Sequence, residues 1–166
     1  MIKLRNWATA FLYNNGNYLL MKRAENRAIS PGLWSGIGGH MESAEINNPR
    51  AACLREIQEE TGIEESRISR LRLLYIIIRR SKDEIRQSYI YFGETTQTEI
   101  TQTDEGAVIW INEAELLRRE YSKTLTAMLL HYTRREPGDN AVYAGAAESG
   151  ESGCSMCWAK LEDFDR

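Results

Sequence analysis

Long apolar runs are missing from this chain. The longest, Leu73 to Ile78, falls far short of the roughly 20 residues a membrane helix needs. The start, Met1 to Asn6, lacks the apolar stretch of a secretory leader, so the expectation is a cytoplasmic protein without a membrane partner. Cysteine is scarce: three residues are too few for a disulfide framework and suit a reducing compartment. Cys53 sits inside a helical pattern, while Cys154 and Cys157 form one lone C-x-x-C pair. A single pair cannot complete a four-ligand zinc site, and no thioredoxin-like context surrounds it. Positive charge is not in excess: 21 Lys and Arg stand against 24 Asp and Glu, a formal net charge of −3. That balance gains little from a polyanion, which argues against duplex nucleic acid or long RNA as the ligand. A small anionic ligand stays open if a metal or a local basic patch supplies the charge.

What is present is an ordinary globular composition. Of the 166 residues, 42% are apolar and 27% charged, enough for one core under a soluble surface. Leu4 to Tyr13 reads as a strand, Asn14 to Asn17 as a hairpin turn in which Asn and Gly tolerate positive φ, and Tyr18 to Met21 as the returning strand. A polar loop from Lys22 to Gly32 leads to the short apolar stretch Leu33 to Ile37, then to Gly38-Gly39. Asn48 as N-cap, Pro49 as first helical residue and Gly62 as stop bound a helix. Leu71 to Arg79 and Gln87 to Glu94 flank a polar turn and predict a second hairpin. Ala107 to Ile111 is a further strand, Asn112 caps a short helix, and Ser122 opens a helix to about Arg135. Beyond the break at Pro137, Ala141 to Ala144 and Met156 to Leu161 predict two strands that pair and cover an edge, around a flexible acidic loop from Gly145 to Ser155. Mixed helices and hairpins imply a mixed sheet.

The chemistry concentrates on the helix after Gly38-Gly39. At about 100° per residue, Cys53, Leu54, Ile57 and Thr61 share one side as a buried stripe. Glu56, Glu59 and Glu60, spaced i, i+3 and i+4, share another. Like charges at that spacing repel, and a hard divalent cation that prefers carboxylate oxygens removes the conflict. Arg55, four residues before Glu59, can hold that carboxylate in place. Solvated glutamate faces are common, yet here a glycine pair that lets the backbone approach something bulky precedes the acidic helix.

These residues resemble the Nudix box: Gly, five residues, Glu, seven residues, then Arg-Glu-apolar-any-Glu-Glu-any-Gly-apolar. Gly39 and Glu45 match its first part; Arg55, Glu56, Ile57, Glu59, Glu60, Gly62 and Ile63 match its second. Nine residues, Ile46 to Leu54, separate Glu45 from Arg55, two more than the pattern. With the helix starting at Asn48-Pro49, Ile46 and Asn47 are expected to bulge outward as a loop insertion. The approach Pro31 to Glu42 and the element order up to about Arg135 are also similar to the family.

The resemblance implies a Nudix fold, an α/β/α sandwich around a mixed sheet, over residues 1–136. Residues 137–166 would form a hairpin-like extension packed on the same domain. It implies hydrolysis of a diphosphate bond in a nucleotide-like substrate with Mg²⁺, or Mn²⁺ in its place. Glu56, Glu59, Glu60 and the Gly39 carbonyl would serve as ligands. Glu105, in the loop before the strand Ala107 to Ile111, is the candidate for an extra ligand or general base, with a plain turn residue beside Gly106 as the equal alternative. Glu59 and Arg55 complete the catalytic candidates. Gly38, His40 and Arg79 are candidate phosphate contacts. A local loop bond for His40 and a solvated turn for Arg79, Arg80 and Lys82 are the plainer alternatives. Tyr89 and Tyr91 share a strand face and offer either a stacking surface or core packing.

The leading function is a nucleoside triphosphate pyrophosphohydrolase of MutT type, acting on oxidised purine nucleotides. ADP-ribose or another nucleoside diphosphate sugar is the alternative within the class, and a non-catalytic nucleotide-sensing module the alternative outside it. The oligomeric state stays open, a homodimer included.

Overall fold

A computed structural model describes residues 1–26, 30–150 and 153–163, with the backbone alone at 149, 150, 153 and 154. The first strand, β1 (Lys3–Asn14), turns at Asn15-Gly16 and returns as β2 (Asn17–Arg23). Both turn residues have positive φ, 45° and 81°, as a tight two-residue hairpin requires. The chain continues through β3 (Trp34–Ser35), β4 (Ile37–His40), α1 (Pro49–Thr61), β5 (Ile68–Ser81), β6 (Glu84–Thr95), β7 (Gly106–Asn112), α2 (Lys123–Tyr132), β8 (Tyr143–Gly150) and β9 (Gly153–Lys160). The polar loop expected from Lys22 to Gly32 includes residues 27–29, which lie outside the described residues. Its first two residues belong to β2.

One sheet runs in the order β3-β2-β1-β6-β5-β8-β9, with β4 also paired to β1 and β7 to β2. It is mixed: β1 with β6 and β5 with β8 are parallel, the other pairs antiparallel. Side chains alternate across it. Ala8, Ala10 and Leu12 of β1 meet Ala52, Cys53 and Ile57 of α1 on one face. Phe11, Ile77 and Phe92 meet Met128 and Leu129 of α2 on the other. The result is the expected α/β/α sandwich, with a core on each side of the sheet.

Three sequence expectations need correction. Leu54 is half-buried, and Glu60 takes a place in the buried set of α1 beside Cys53, Ile57 and Thr61. The short helix that Asn112 caps is present, as a 3₁₀ helix over Glu113–Arg118. α2 ends at Tyr132, with Thr133 as its cap, three residues before Arg135. The last strands extend well into the stretch Gly145 to Ser155, which was expected to be a loop. Their small residues pair in register from Tyr143↔Lys160 to Gly150↔Gly153.

The C-terminal hairpin extends the sheet edge through β8 along β5. His131 of α2 lies within 5.6 Å, centroid to centroid, of the rings of Tyr75, Tyr143 and Trp158. The Arg135 guanidinium covers Tyr143 at 4.7 Å while pairing with Asp139 at 3.0 Å. Gly145 is needed here because a Cβ at that position would run into the Trp158 ring. Gly145→Val is therefore expected to lose about 1–3 kcal/mol by overpacking. A melting temperature unchanged from wild type would show that the hairpin does not pack this way. Of the C-x-x-C pair, the Cys154 side chain lies outside the described residues, and Cys157 is a free, exposed thiol.

Candidate active site

The added spacer residues are absorbed before the helix. Ser43–Glu45 form a 3₁₀ turn in which the Glu42 backbone N–H donates to Glu45 Oε2 at 2.8 Å. Ile46 and Asn47 are exposed. α1 then starts at Pro49, with the Asn48 side chain accepting from Ala51 N at 3.1 Å. It ends at Gly62, whose φ is 72° and whose N–H donates to the Gln58 carbonyl. The helix register that the caps predict is therefore kept, and with it the relative placement of the glutamates.

Arg55 is the hub of this end of the helix. Its Nε and Nη2 grip Glu45 in a fork, at 2.8 and 3.0 Å. Nη1 donates to Glu56 at 2.9 Å and Glu59 at 2.8 Å, and Nη2 also reaches the His40 carbonyl at 3.0 Å. A planar guanidinium can hold several carboxylates at once where an ammonium cannot. These partners hold its pKa above the ordinary arginine range, with the bond to Glu45 the largest cause. Glu45 thus ties the loop to the helix, and Arg55 holds down the carboxyl pKa of Glu45.

Glu60 differs from its neighbours. It is 3% exposed; Oε2 accepts from Gly38 N at 2.8 Å, and Oε1 is buried without a hydrogen-bond partner. Burial pushes its pKa up to about 8, and the charges of Glu56 and Glu105 add to the rise. Glu56 is also raised, first by burial, with Arg55 opposing. A Cβ at Gly39 would lie 2.5 Å from the Glu56 carboxylate, so a side chain there would displace that carboxylate. Glu105 is half-buried in the loop before β7, and its charge reaches both Glu56 and Glu60. Glu59 is exposed, its side chain turned to Arg55.

Among the described residues, no three acidic, His or Cys side chains stand close enough to form a ready-made cation cluster. The guanidinium of Arg55 draws Glu56 and Glu59 to itself. The residues nevertheless fit a hard divalent cation. The donors are all oxygen, one buried carboxylate oxygen lacks a partner, and the glycine backbone passes beside a second carboxylate.

Gly38 leads from the glutamates into an open cleft on the α2 side of the sheet. Its walls carry Trp7, Trp34, Arg23, Arg79 and Arg86. Arg79 therefore lines the cleft and is not part of a solvated turn. His40 is exposed at the end of β4, its ring 4.4 Å from Trp7; partial burial and the nearby Arg5 and Arg86 hold its pKa down. Tyr89 belongs to the other side. It packs beside the α1 core and meets Gln87, while its neighbours Ser88 and Ile90 face the cleft. The period of two that unites Tyr89 with Tyr91 also turns both away from this cleft.

Sequence reasoning missed Trp7, Arg23, Trp34 and Arg86 as parts of one cleft. One signal was available. A two-residue turn at Lys82-Asp83 places Arg79 opposite Arg86, as the register confirms. Nothing local, however, brings β1 or the loop before β3 to the same place.

A family model for the NUDIX domain matches residues 3–132. A protein named nucleoside triphosphatase NudI from Enterobacter sp. (strain 638) is 34% identical over 96 residues, covering 58% of this chain and 62% of that protein. One of the same name from Escherichia coli O139:H28 is 39% identical over 61 residues, covering 37% and 42%. The chain thus spans less than two thirds of the length of these relatives. Among solved structures, a MutT protein of Bacillus halodurans superposes with a TM-score of 0.69 at 18% identity, covering 93% of this chain and 97% of that one. A MutT NUDIX hydrolase of Burkholderia pseudomallei does so with a TM-score of 0.61 at 25% identity, covering 78% and 97%.

Proposed function

The chain belongs to the NUDIX family, and from that premise we propose that it is a metal-dependent pyrophosphohydrolase. It cleaves a nucleoside triphosphate to the monophosphate and pyrophosphate. The observation that carries this reading is the junction at Gly38. A buried glutamate with one unpartnered oxygen holds the strand from one side, and a cleft of tryptophans and arginines opens on the other. On this reading, diphosphate chemistry and nucleoside binding meet at Gly38. The similarity to proteins named nucleoside triphosphatase supports the same substrate class.

Glu56, Glu59, Glu60 and the Gly39 carbonyl would hold a divalent cation, Mg²⁺ or Mn²⁺. Such a cation polarises phosphoryl oxygens and lowers the pKa of bound water. The chain's own residues do the rest. Arg55 fixes the first turns of α1 to the Glu45 loop and the His40 carbonyl, which holds the carboxylates of that helix face in place. Gly38 and Gly39 allow the backbone to pass between glutamates and substrate without a side chain in the way. Glu105, in the loop before β7, whose charge reaches Glu56 and Glu60, would take a proton from the attacking water or serve as a further ligand. Arg23, Arg79 and His40 lie along the side on which the substrate would extend.

The deciding experiment is a substrate panel with Mg²⁺, scoring pyrophosphate, phosphate and nucleoside monophosphate. Triphosphates should yield monophosphate and pyrophosphate, and EDTA should stop the reaction. Turnover of ADP-ribose or nucleoside diphosphate sugars without turnover of triphosphates would replace this reading. Nucleotide binding with no cleavage under any divalent cation would favour a sensing module.

A further inference from the structure

Residues 96–105 link β6 to β7 and carry Glu105 near their end. A link with no helix or strand of its own ordinarily places its side chains loosely. This one is tied down at several points. The Trp110 indole N–H donates to the Thr98 carbonyl at 3.0 Å, and Ile100 packs against the core under α1. The Thr101 N–H donates at 2.9 Å to the carbonyl of Thr61, the last residue of α1 and the neighbour of Glu60. The backbone of Glu105 is held as well. Its N–H donates to Thr103 Oγ1 at 3.4 Å, and its carbonyl accepts from Ala24 N at 3.2 Å.

Gln102 makes the tie nearest to Glu105 that crosses to a strand. Its side-chain amide accepts from the Val108 N–H at 3.0 Å and donates to the Val108 carbonyl at 2.9 Å. That is the pair of bonds a neighbouring antiparallel residue would make. β7 has such a neighbour on one edge, where it pairs with β2; among the described residues no strand covers its other edge. An amide, with both an acceptor and donors, matches the N–H and C=O of one residue, whereas a carboxylate has no donor to give. Gln102 is exposed at this open edge, so water can satisfy Val108 in its place. Water, however, holds no chain. The two bonds close the loop of residues 102–108 around Glu105. We propose that Gln102 is a positioning residue: by clamping Val108 it sets where the Glu105 carboxylate stands relative to Glu56 and Glu60. This role rests on the reading of Glu105 as the group that takes a proton from the attacking water or serves as a further ligand. Glu105 is then presented in place, and no loop movement has to deliver it. A misplacement of about 1 Å in a reacting group costs on the order of 10²-fold in rate.

Gln102→Met keeps the length of the side chain and deletes both bonds. With Mg²⁺ and the nucleotide that the substrate panel identifies, its kcat should fall about 10- to 100-fold while KM stays within about twofold. Glu105→Gln should fall by about 10²-fold or more. In the Glu105→Gln background, adding Gln102→Met should change kcat by no more than about twofold, because no carboxylate remains to misplace. A second readout needs neither metal nor turnover. In EDTA, amide hydrogen exchange at residues 103–108 should quicken about tenfold in Gln102→Met, while α1 keeps its protection. If Gln102→Met does not fold, Gln102→Asn, which keeps the amide and retracts it by one methylene, carries the same comparison. Equal losses of kcat with and without the Glu105 carboxylate, a change confined to KM, or unchanged exchange would overturn the proposal and leave Glu105 in its role. Wild-type turnover in Glu105→Gln would remove Glu105 from the chemistry and this role of Gln102 with it. Absence of hydrolysis by the wild-type chain would remove the role together with the reading on which it rests.

Discussion

Glu60→Gln is expected to lower kcat/KM with Mg²⁺ by about 10²- to 10³-fold, the scale of a metal-borne charge stabilisation of several kcal/mol. The same substitution should leave the metal-free fold intact or strengthen it. The amide oxygen can still accept from Gly38 N, as Glu60 Oε2 does at 2.8 Å. The substitution replaces an ionisable carboxyl whose burial, with the charges of Glu56 and Glu105 nearby, pushes its pKa up to about 8. The sign of the pH effect follows. Between the ordinary glutamate value and about 8, the folded chain keeps a proton that the unfolded chain has released. Stability contributed by this group therefore falls as pH rises through that window. In EDTA, the melting temperature of Glu60→Gln should overtake wild type progressively from pH 5 to pH 8, a comparison framed by that shift. A wild-type level of Mg²⁺-dependent turnover in Glu60→Gln would remove Glu60 from the site. A metal-free difference that does not grow with pH would show that its carboxyl is not held protonated.

Arg55→Met is expected to damage fold and activity together. The side chain is 25% exposed and donates to Glu45, Glu56, Glu59 and the His40 carbonyl. Methionine keeps much of the aliphatic length and deletes every donor. Glu45 and Glu56, each with a side chain 13% exposed, then face one another without a counter-charge. Stranding a partly buried carboxylate costs on the order of 2–4 kcal/mol, or roughly 6–12 °C in melting temperature for a domain of this size. Turnover should fall by about 10- to 100-fold, as for other residues that orient metal ligands. Arg55→Lys should recover part of the stability and little of the turnover, since an ammonium cannot reproduce the fork on Glu45. Melting within about 2 °C of wild type would mean that the network contributes less than one ordinary hydrogen bond.

The two variants separate what was legible along the chain from what was not. Arg55 was readable because its partnership with Glu59 is local: four residues on a helix bring the side chains together whatever surrounds them. The same holds for Asn48, Pro49 and Gly62, whose capping and left-handed conformations are properties of single residues and fix where α1 starts and stops. The grip on Glu45 was not local. It depends on how the 3₁₀ turn at Ser43–Glu45 folds the two-residue insertion back toward the helix.

Glu60 shows where periodicity runs out. On the helix wheel it lies roughly 20° from Cys53, so it belongs to the metal face and the buried stripe at once. Only the passage of β4 across that turn, with Gly38 N 2.8 Å from its carboxylate, decides that it is buried. The acidic helix, the glycine pair and the mixed sheet were set by spacing and alternation, which act within a few residues; the sandwich of helices around that sheet was legible only through the resemblance to the Nudix box. The cleft was set by neighbours distant in sequence. Trp7 comes to Arg86 because β1 pairs in parallel with β6 across more than seventy intervening residues. Such pairing depends on which apolar faces bury each other, so hydrophobic packing in three dimensions, and no pattern along the chain, brought the arginines and tryptophans into one cleft.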